Sequence, residues 1–126
     1  MTLRNLALAS LIALASCAGP NMAYADDPAC DIANRSVTIE AAAAKQNLPV
    51  TKLDAGQTQA FNAELAKAHG VDVKDMPEMN SLDVVIVPAQ DGENLALVFG
   101  FKDGCFVGAA QITEQEFKSI QSRTQA

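Results

Sequence analysis

Tryptophan is absent from this chain of 126 residues, and tyrosine and histidine each occur only once. Flat aromatic surfaces on which bases or sugars could stack are therefore scarce. Nine lysines and arginines stand against fifteen aspartates and glutamates, which gives a formal net charge of −6. Because binding to a phosphate backbone needs a basic surface, this balance argues against nucleic acid as a partner.

The scarcity of histidine also limits the possible catalytic chemistry. A Ser-His-Asp or Cys-His mechanism would have to use His69, and no nucleophile-elbow motif accompanies it. Glycine-rich loops that hold phosphates are absent as well. Acidic residues are abundant, but no pattern marks one of them as buried, which is what tuning of a catalytic carboxyl requires. We therefore expect no enzymatic activity and no cofactor.

The N-terminal segment has the composition of an export signal. Arg4 is the only charged residue before Asp26, and residues 6–16 form an unbroken run of apolar and small residues. A helix that spans a bilayer needs about 20 apolar residues, so this run is too short to span and fits the hydrophobic region of a signal peptide. We expect an exported protein, in the periplasm of a bacterial-type envelope.

Two positions for cleavage of this signal remain open. Ala23-Tyr24-Ala25 has the small–any–small form that a secretory signal peptidase cuts, which would make residues 1–25 the signal. Alternatively, residues 14–17, Leu-Ala-Ser-Cys, resemble a bacterial lipobox, in which the cysteine is lipidated and becomes the first residue. Residues 1–16 would then be the signal, residues 17–29 a polar tether, and a lipid at Cys17 the only attachment to the membrane.

Cysteine is rare, with three in the chain, and either cleavage leaves Cys30 and Cys105 in the exported part. An even pair in an oxidising compartment predicts a disulfide. Neither cysteine has a nearby histidine or a cationic cluster that would indicate a reactive thiol instead. We expect the Cys30–Cys105 bond to join the beginning of the domain to its C-terminal half.

Periodicity and capping signals divide the domain, residues 30–121, into helices and strands. Residues 36–47 predict a helix that Ser36 could cap, and residues 54–70 predict a second one with a capping box and a terminal glycine. Three apolar segments predict strands joined by short turns, at residues 82–88, 95–101 and 105–112. A Thr-x-x-Glu box starting at Thr113 predicts a last helix, and residues 122–126 are expected to be a frayed tail.

This order of elements predicts an α+β fold. Short turns between three consecutive strands favour an antiparallel β-meander, and a small sheet with an apolar face needs a cover. Two or three helices supply that cover, in two layers, and one disulfide clamps the domain. The central strand, residues 95–101, is apolar on both faces, as a buried strand would be.

Two further sets of residues suggest function. Thioether and imidazole groups suit Cu(I), so His69, Met76 and Met79 form a candidate metal site, although methionines in such a loop also fill gaps in a core. Phe99, Phe101 and Phe106 cluster around the second predicted hairpin and would form an interaction surface if one of its faces were open. We expect a binding or interaction module whose partner is a protein or an envelope component, with copper handling as the alternative.

Overall fold

The computed structural model describes residues 22–30, 35–89 and 92–124, with the backbone alone over residues 22–29. A short 3-10 helix, Val73–Asp75, lies between the second helix and the third strand. The strands are β1 (Met22–Ala29), β2 (Val50–Leu53), β3 (Ser81–Val87), β4 (Leu95–Lys102) and β5 (Cys105–Thr113). The helices are α1 (Ser36–Lys45), α2 (Ala55–His69) and α3 (Glu114–Thr124).

The predicted α+β fold and its antiparallel meander are confirmed. Strands β3, β4 and β5 pair in sequence and form the centre of the sheet. The short strand β2 pairs with β3, which makes a four-stranded antiparallel sheet, and β1 extends this sheet along β5. The resulting strand order is β1-β5-β4-β3-β2, so the described sheet has two more strands than the meander alone.

Strand β4 shows why both faces of the sheet need a cover. Its side chains alternate, with Ala96 and Val98 in one buried cluster and Leu97 and Phe99 in the other. The first cluster lies beneath α2 and α3, and the second lies beneath α1. The helices therefore lie on both sides of the sheet, and the domain has three layers rather than the expected two.

Helix α2 forms where its capping signals predict. The Asp54 side chain accepts a hydrogen bond from the Gln57 backbone at 2.9 Å, and the Gln57 side chain accepts one from the Asp54 backbone at 2.9 Å. The helix ends at Gly70, whose φ of 68° lies in the left-handed region that favours glycine. Phe61 and Leu65 point from this helix into the core.

Helix α1 begins at residue 36, as predicted, but its cap and its end differ. Arg35 occupies the N-cap and makes no side-chain capping bond, and the helix ends at Lys45. Ser36 is therefore the first helical residue rather than the cap, and its hydroxyl serves contacts described below. Only Ile39 and Ala43 of this alanine-rich helix are buried.

Helix α3 replaces most of the expected frayed tail. It continues to Thr124, and Arg123 near its end donates from Nε to Glu64 on α2 at 3.0 Å. Its start follows the predicted box in part: the Glu116 backbone donates to the Thr113 hydroxyl at 3.0 Å. The Glu116 carboxylate does not turn back to the cap but contacts His69 on α2.

Strand β1 occupies residues that the sequence assigns to a signal or a tether. Its sequence contains two aspartates and Pro28, which are depleted in strand interiors. Such residues are tolerated at a sheet edge, and the pairing with β5 shifts register between Tyr24 and Ala29, where they lie. Residues 1–21, with the apolar run and Cys17, lie outside the described residues. No helix within the described ranges is long and apolar enough to cross a bilayer.

Candidate functional site

A buried aspartate interrupts the apolar centre of the sheet. Asp83 lies in β3, where its strand neighbours Leu82 and Val84 are core residues, and its own side chain is 0% exposed. In the sheet it lies opposite Lys52 on β2 and opposite Phe99 on β4. Burial of an acidic side chain is costly unless hydrogen bonds or an opposite charge stabilise it, so the contacts of Asp83 are described next.

Helix α1 brings two polar side chains against this aspartate. The hydroxyl Oγ of Ser36 lies 2.6 Å from Oδ2 of Asp83 and 3.0 Å from Oε2 of Glu40, one helical turn further along. Lys52 completes the group from the edge strand, because its Nζ donates to Oε2 of Glu40 at 2.8 Å. We call Ser36, Glu40, Lys52 and Asp83 the α1 cluster.

One oxygen of the α1 cluster has no hydrogen bond. Oδ1 of Asp83 is buried and has no hydrogen-bond partner among the described residues. The nearest positive charge, on Nζ of Lys52, is 3.9 Å away, beyond hydrogen-bonding distance. An ionised carboxylate would therefore leave a buried anionic oxygen without a donor, which is unfavourable.

The environment moves the pKa values of the two acids in opposite directions. Burial raises the pKa of Asp83 above its usual value; the Ser36 contact and the Lys52 charge oppose this, and the Glu40 charge adds to it. The hydrogen bond from Lys52 is the main cause that lowers the pKa of Glu40, and the same bond raises the pKa of Lys52. Glu40 and Lys52 thus form an ion pair beside an acid whose pKa is raised by burial.

Two carboxyls with separated pKa values are a common arrangement for acid–base chemistry. Here, however, the acid with the raised pKa is fully covered by the fold, so its proton has no route to a bound substrate. Ser36 has carboxylates rather than a histidine beside its hydroxyl. The α1 cluster is therefore suited to hold a proton and to attach α1 to the sheet.

The three residues of the candidate copper site separate into two environments. Met76 and Met79 line the same small cavity between α2 and the sheet, which has a volume of about 10 Å³. The Met79 sulfur accepts a hydrogen bond from Nδ2 of Asn62 at 3.5 Å, and this methionine is 5% exposed. His69 instead lies with its Nε2 3.0 Å from Oε2 of Glu116. Among the described residues, no group of three or more histidine, cysteine, aspartate or glutamate side chains could hold a metal ion.

The predicted aromatic interaction surface is not a surface. Phe99, Phe101 and Phe106 are 1%, 0% and 3% exposed, in the core cluster that contains Ile39 and Ala43 of α1. The interaction surface required one open face of the hairpin, but α1 packs on the face that carries these side chains. The same helix thus buries the aromatic side chains and carries two members of the α1 cluster.

The predicted disulfide is present. Cys30 and Cys105 are bonded, with their Cα atoms 4.7 Å apart. The bond connects the residue that follows β1 to the first residue of β5, next to the turn formed by Asp103 and Gly104, which both have positive φ. Arg35 bridges to Cys105 in the same place, and the Ser36 backbone donates to the carbonyl of Gly104 at 3.1 Å. A disulfide of this kind is consistent with an oxidising compartment outside the cytoplasm.

Sequence reasoning missed the α1 cluster, although one signal was available. Asp83 is the only charged residue in an otherwise apolar strand, and it is followed by four branched apolar residues. Such a residue in a strand buried on both faces must lie in the core. Its partners Ser36, Glu40 and Lys52 lie far away in the sequence, and only the pairing of β2 with β3 and the docking of α1 bring them together.

No protein-family model, no curated protein and no solved structure significantly matches this chain.

Proposed function

We propose that this chain is an exported, envelope-located domain that acts by binding a protein or an envelope component, without catalysis. The Cys30–Cys105 disulfide is the observation that supports a location outside the cytoplasm, because cytosolic thiols are kept reduced. The bond lies beside the start of α1, where Arg35 pairs with Cys105 and the Ser36 backbone donates to the carbonyl of Gly104. Its loss would therefore weaken the attachment of this helix as well as that of β1. The N-terminal apolar run of residues 6–16 supplies a route of export.

Strand β1 favours one of the two cleavage positions. A cut after Ala25 would remove Met22, Ala23 and Tyr24, which make three of the four residue pairs between β1 and β5. A cut before Cys17 would keep the whole strand. Pairing with β5 therefore supports the lipoprotein reading, in which Cys17 carries a lipid and β1 is part of the folded domain rather than of a tether.

Intact-mass measurement of protein purified from the envelope tests both parts of this proposal. We expect a mature chain that begins at Cys17 with added acyl mass, and a Cys17→Ser control that lacks this mass. A start at Asp26 without acyl mass would refute the lipid anchor and keep the export. Uncut protein with two free thiols at Cys30 and Cys105 would refute the compartment.

The cavity between α2 and the sheet holds only about 10 Å³, which is too small for a ligand, so the binding we propose uses the outer surface. Val37 on α1 is the most exposed large hydrophobic side chain described, at 64%. A photo-crosslinking amino acid at Val37 should capture a partner in intact cells, whereas the same group at exposed Ser119 on α3 serves as the matched control. Absence of a crosslinked product at Val37, or an equal yield of the same product at Ser119, would count against a binding surface on α1.

Copper handling stays the alternative, supported by the placement of Met76 and Met79 around one cavity. Thioether sulfurs are soft ligands that suit Cu(I). A Cu(I) competition titration of the disulfide-bonded protein should show weaker binding in the Met76→Leu/Met79→Leu variant if this alternative holds. Equal affinity of the two proteins would eliminate it.

A further inference from the structure

The α1 cluster contains a hydroxyl that lies between two acids. Ser36 has one hydroxyl proton, yet its oxygen lies 2.6 Å from Asp83 and 3.0 Å from Glu40. Both distances are those of hydrogen bonds, and each such bond needs a proton between its two oxygens. The number of protons on the three side chains therefore decides whether the arrangement is stable.

With both acids ionised, the cluster is one proton short. The Ser36 hydroxyl could then donate to Asp83 or to Glu40, and the other contact would bring two oxygens together with no proton between them. In addition, Oδ1 of Asp83 would share a negative charge while it is buried without a donor. Both features are unfavourable in an apolar interior.

One proton on Oδ2 of Asp83 removes both difficulties. Asp83 then donates to the Ser36 oxygen, Ser36 donates to Oε2 of Glu40, and Lys52 donates to that same oxygen. Each short contact now contains one proton, and Oδ1 of Asp83 is the oxygen of a neutral acid. The cluster becomes a continuous chain of hydrogen bonds that links β3, α1 and β2, with Glu40 accepting from both Ser36 and Lys52.

The groups that face Asp83 come from three elements. Helix α1 contributes Ser36 and Glu40, and β2 contributes Lys52. The partner across β4 is Phe99, which does not titrate. Glu40 disfavours ionisation of Asp83 and Lys52 favours it, so the ion pair between these two groups leaves burial as the dominant influence.

We propose that the α1 cluster is a pH-dependent latch, which holds α1 on the sheet while Asp83 is protonated and loosens the helix when that proton is lost. Beyond its start, which the backbone bond from Ser36 to Gly104 holds, the helix has little other attachment to the sheet, because only Ile39 and Ala43 are buried. Beneath it lie Phe99 and Phe101, so loosening α1 would uncover aromatic surface.

The direction of the pH effect follows from the two states of Asp83. Burial raises the pKa of Asp83 in the docked state above the 3.8 of a free side chain, so the docked state holds the proton more firmly. The contribution of Asp83 to the docking of α1 is therefore complete below about pH 3.8. It is lost as the pH rises through the raised pKa of Asp83 in the docked state. Glu40 acts oppositely, since its lowered pKa makes its contribution fade as pH falls.

Hydrogen exchange of the α1 amides, corrected for the intrinsic rate at each pH, tests the latch in the disulfide-bonded protein. We expect protection to fall by up to about tenfold per pH unit between 3.8 and the docked value, and then to level off. An Asp83→Asn variant imitates the neutral acid, so its α1 protection should lack this fall. The ratio of wild type to variant removes the part of the Glu40 contribution that does not depend on Asp83, and exposed Asp75→Asn should behave like wild type.

A ratio that does not change with pH would overturn the proposal. A second measurement covers the case in which Asp83→Asn fails to fold: the carboxyl carbon of Asp83 is followed by NMR in the wild-type protein. Its titration midpoint should lie above 3.8, and α1 amide shifts should move with it. A midpoint at or below 3.8, or a titration that leaves the α1 amides unmoved, would also overturn the proposal.

Discussion

Gly100 offers the sharpest test of the packing between α2 and the sheet. A Cβ added to this residue of β4 would overlap the Met79 sulfur, lie 2.9 Å from the terminal Met79 carbon, and lie 3.4 Å from Cδ2 of Leu82. The end of Met79 is flexible, but Met79 is 5% exposed and its sulfur already contacts Asn62, so it has little room to move. We expect Gly100→Ala to lower the free energy of unfolding by about 1–3 kcal/mol, the usual cost of overpacking.

Urea unfolding with the disulfide intact measures this loss, and a double-mutant cycle assigns it. Met79→Ala alone should cost about 2–5 kcal/mol because it leaves a cavity. The double variant Met79→Ala/Gly100→Ala should lose less stability than the sum of the two single losses, by about 1 kcal/mol or more. The added methyl group then fills the space that Met79 leaves. Additive costs, or a neutral Gly100→Ala, would contradict the contact.

A matched Gly→Ala substitution elsewhere tests whether the loss of stability comes from crowding at Gly100 or from replacing a glycine as such. Gly56 in the first turn of α2 has room for a methyl group, since its nearest neighbour would be Oδ1 of Asp54 at 3.7 Å. Gly56→Ala removes backbone freedom from the unfolded chain, so it should raise stability, by up to about 1 kcal/mol. Loss of stability at Gly56 as large as at Gly100 would contradict our reasoning.

Three further changes address the disulfide, a helix cap and the docking of α1. Replacing both Cys30 and Cys105 with serine should lower stability by about 4 kcal/mol, as the chain-entropy model gives for a sequence separation of 75, and a urea midpoint equal to wild type would refute this. Asp54→Ala should cost about 1 kcal/mol in the same assay, because it removes the capping box of α2, and a neutral effect would refute that role. Ile39→Ala should cost about 2–5 kcal/mol and increase binding of an apolar dye, whereas unchanged dye binding would show that α1 does not cover the aromatic residues.

The parts of the fold that sequence predicts are those whose signals are local. Asp54 and Gln57 mark the start of α2 within one turn, and Gly70 marks its end, so no distant contact is needed. The meander follows from three apolar segments joined by short turns, because antiparallel neighbours close easily over a few residues. The disulfide followed from the number of cysteines and the expected compartment.

The two outer strands could not be predicted in this way. Strand β2 has four residues, and one of them, Lys52, is charged and exposed. Strand β1 contains Pro28 and two aspartates, which count against a strand unless it lies at an edge. Only the presence of β3 and β5 as partners makes these segments strands, and that partnership is a long-range property.

The candidate site was missed for a related reason. Whether the three phenylalanines Phe99, Phe101 and Phe106 are exposed depends on where α1 lies. The helix carries few large apolar residues from which its packing on the sheet could be predicted. Its attachment relies on Ser36, whose position suggested a cap rather than a contact with the sheet. Ser36 thus contacts buried Asp83 from a helix in which only Ile39 and Ala43 are buried.

The pairing of β1 with β5 has a consequence for how the molecule is made. Synthesis delivers the N-terminus first, yet β1 must wait for β5, which lies near the opposite end of the chain. Cys30 waits for the same segment, because Cys105 is the first residue of β5. A nascent chain interrupted before this point would present an unpaired β1 and an unpaired Cys30 thiol together, and unpaired strands of this kind promote aggregation.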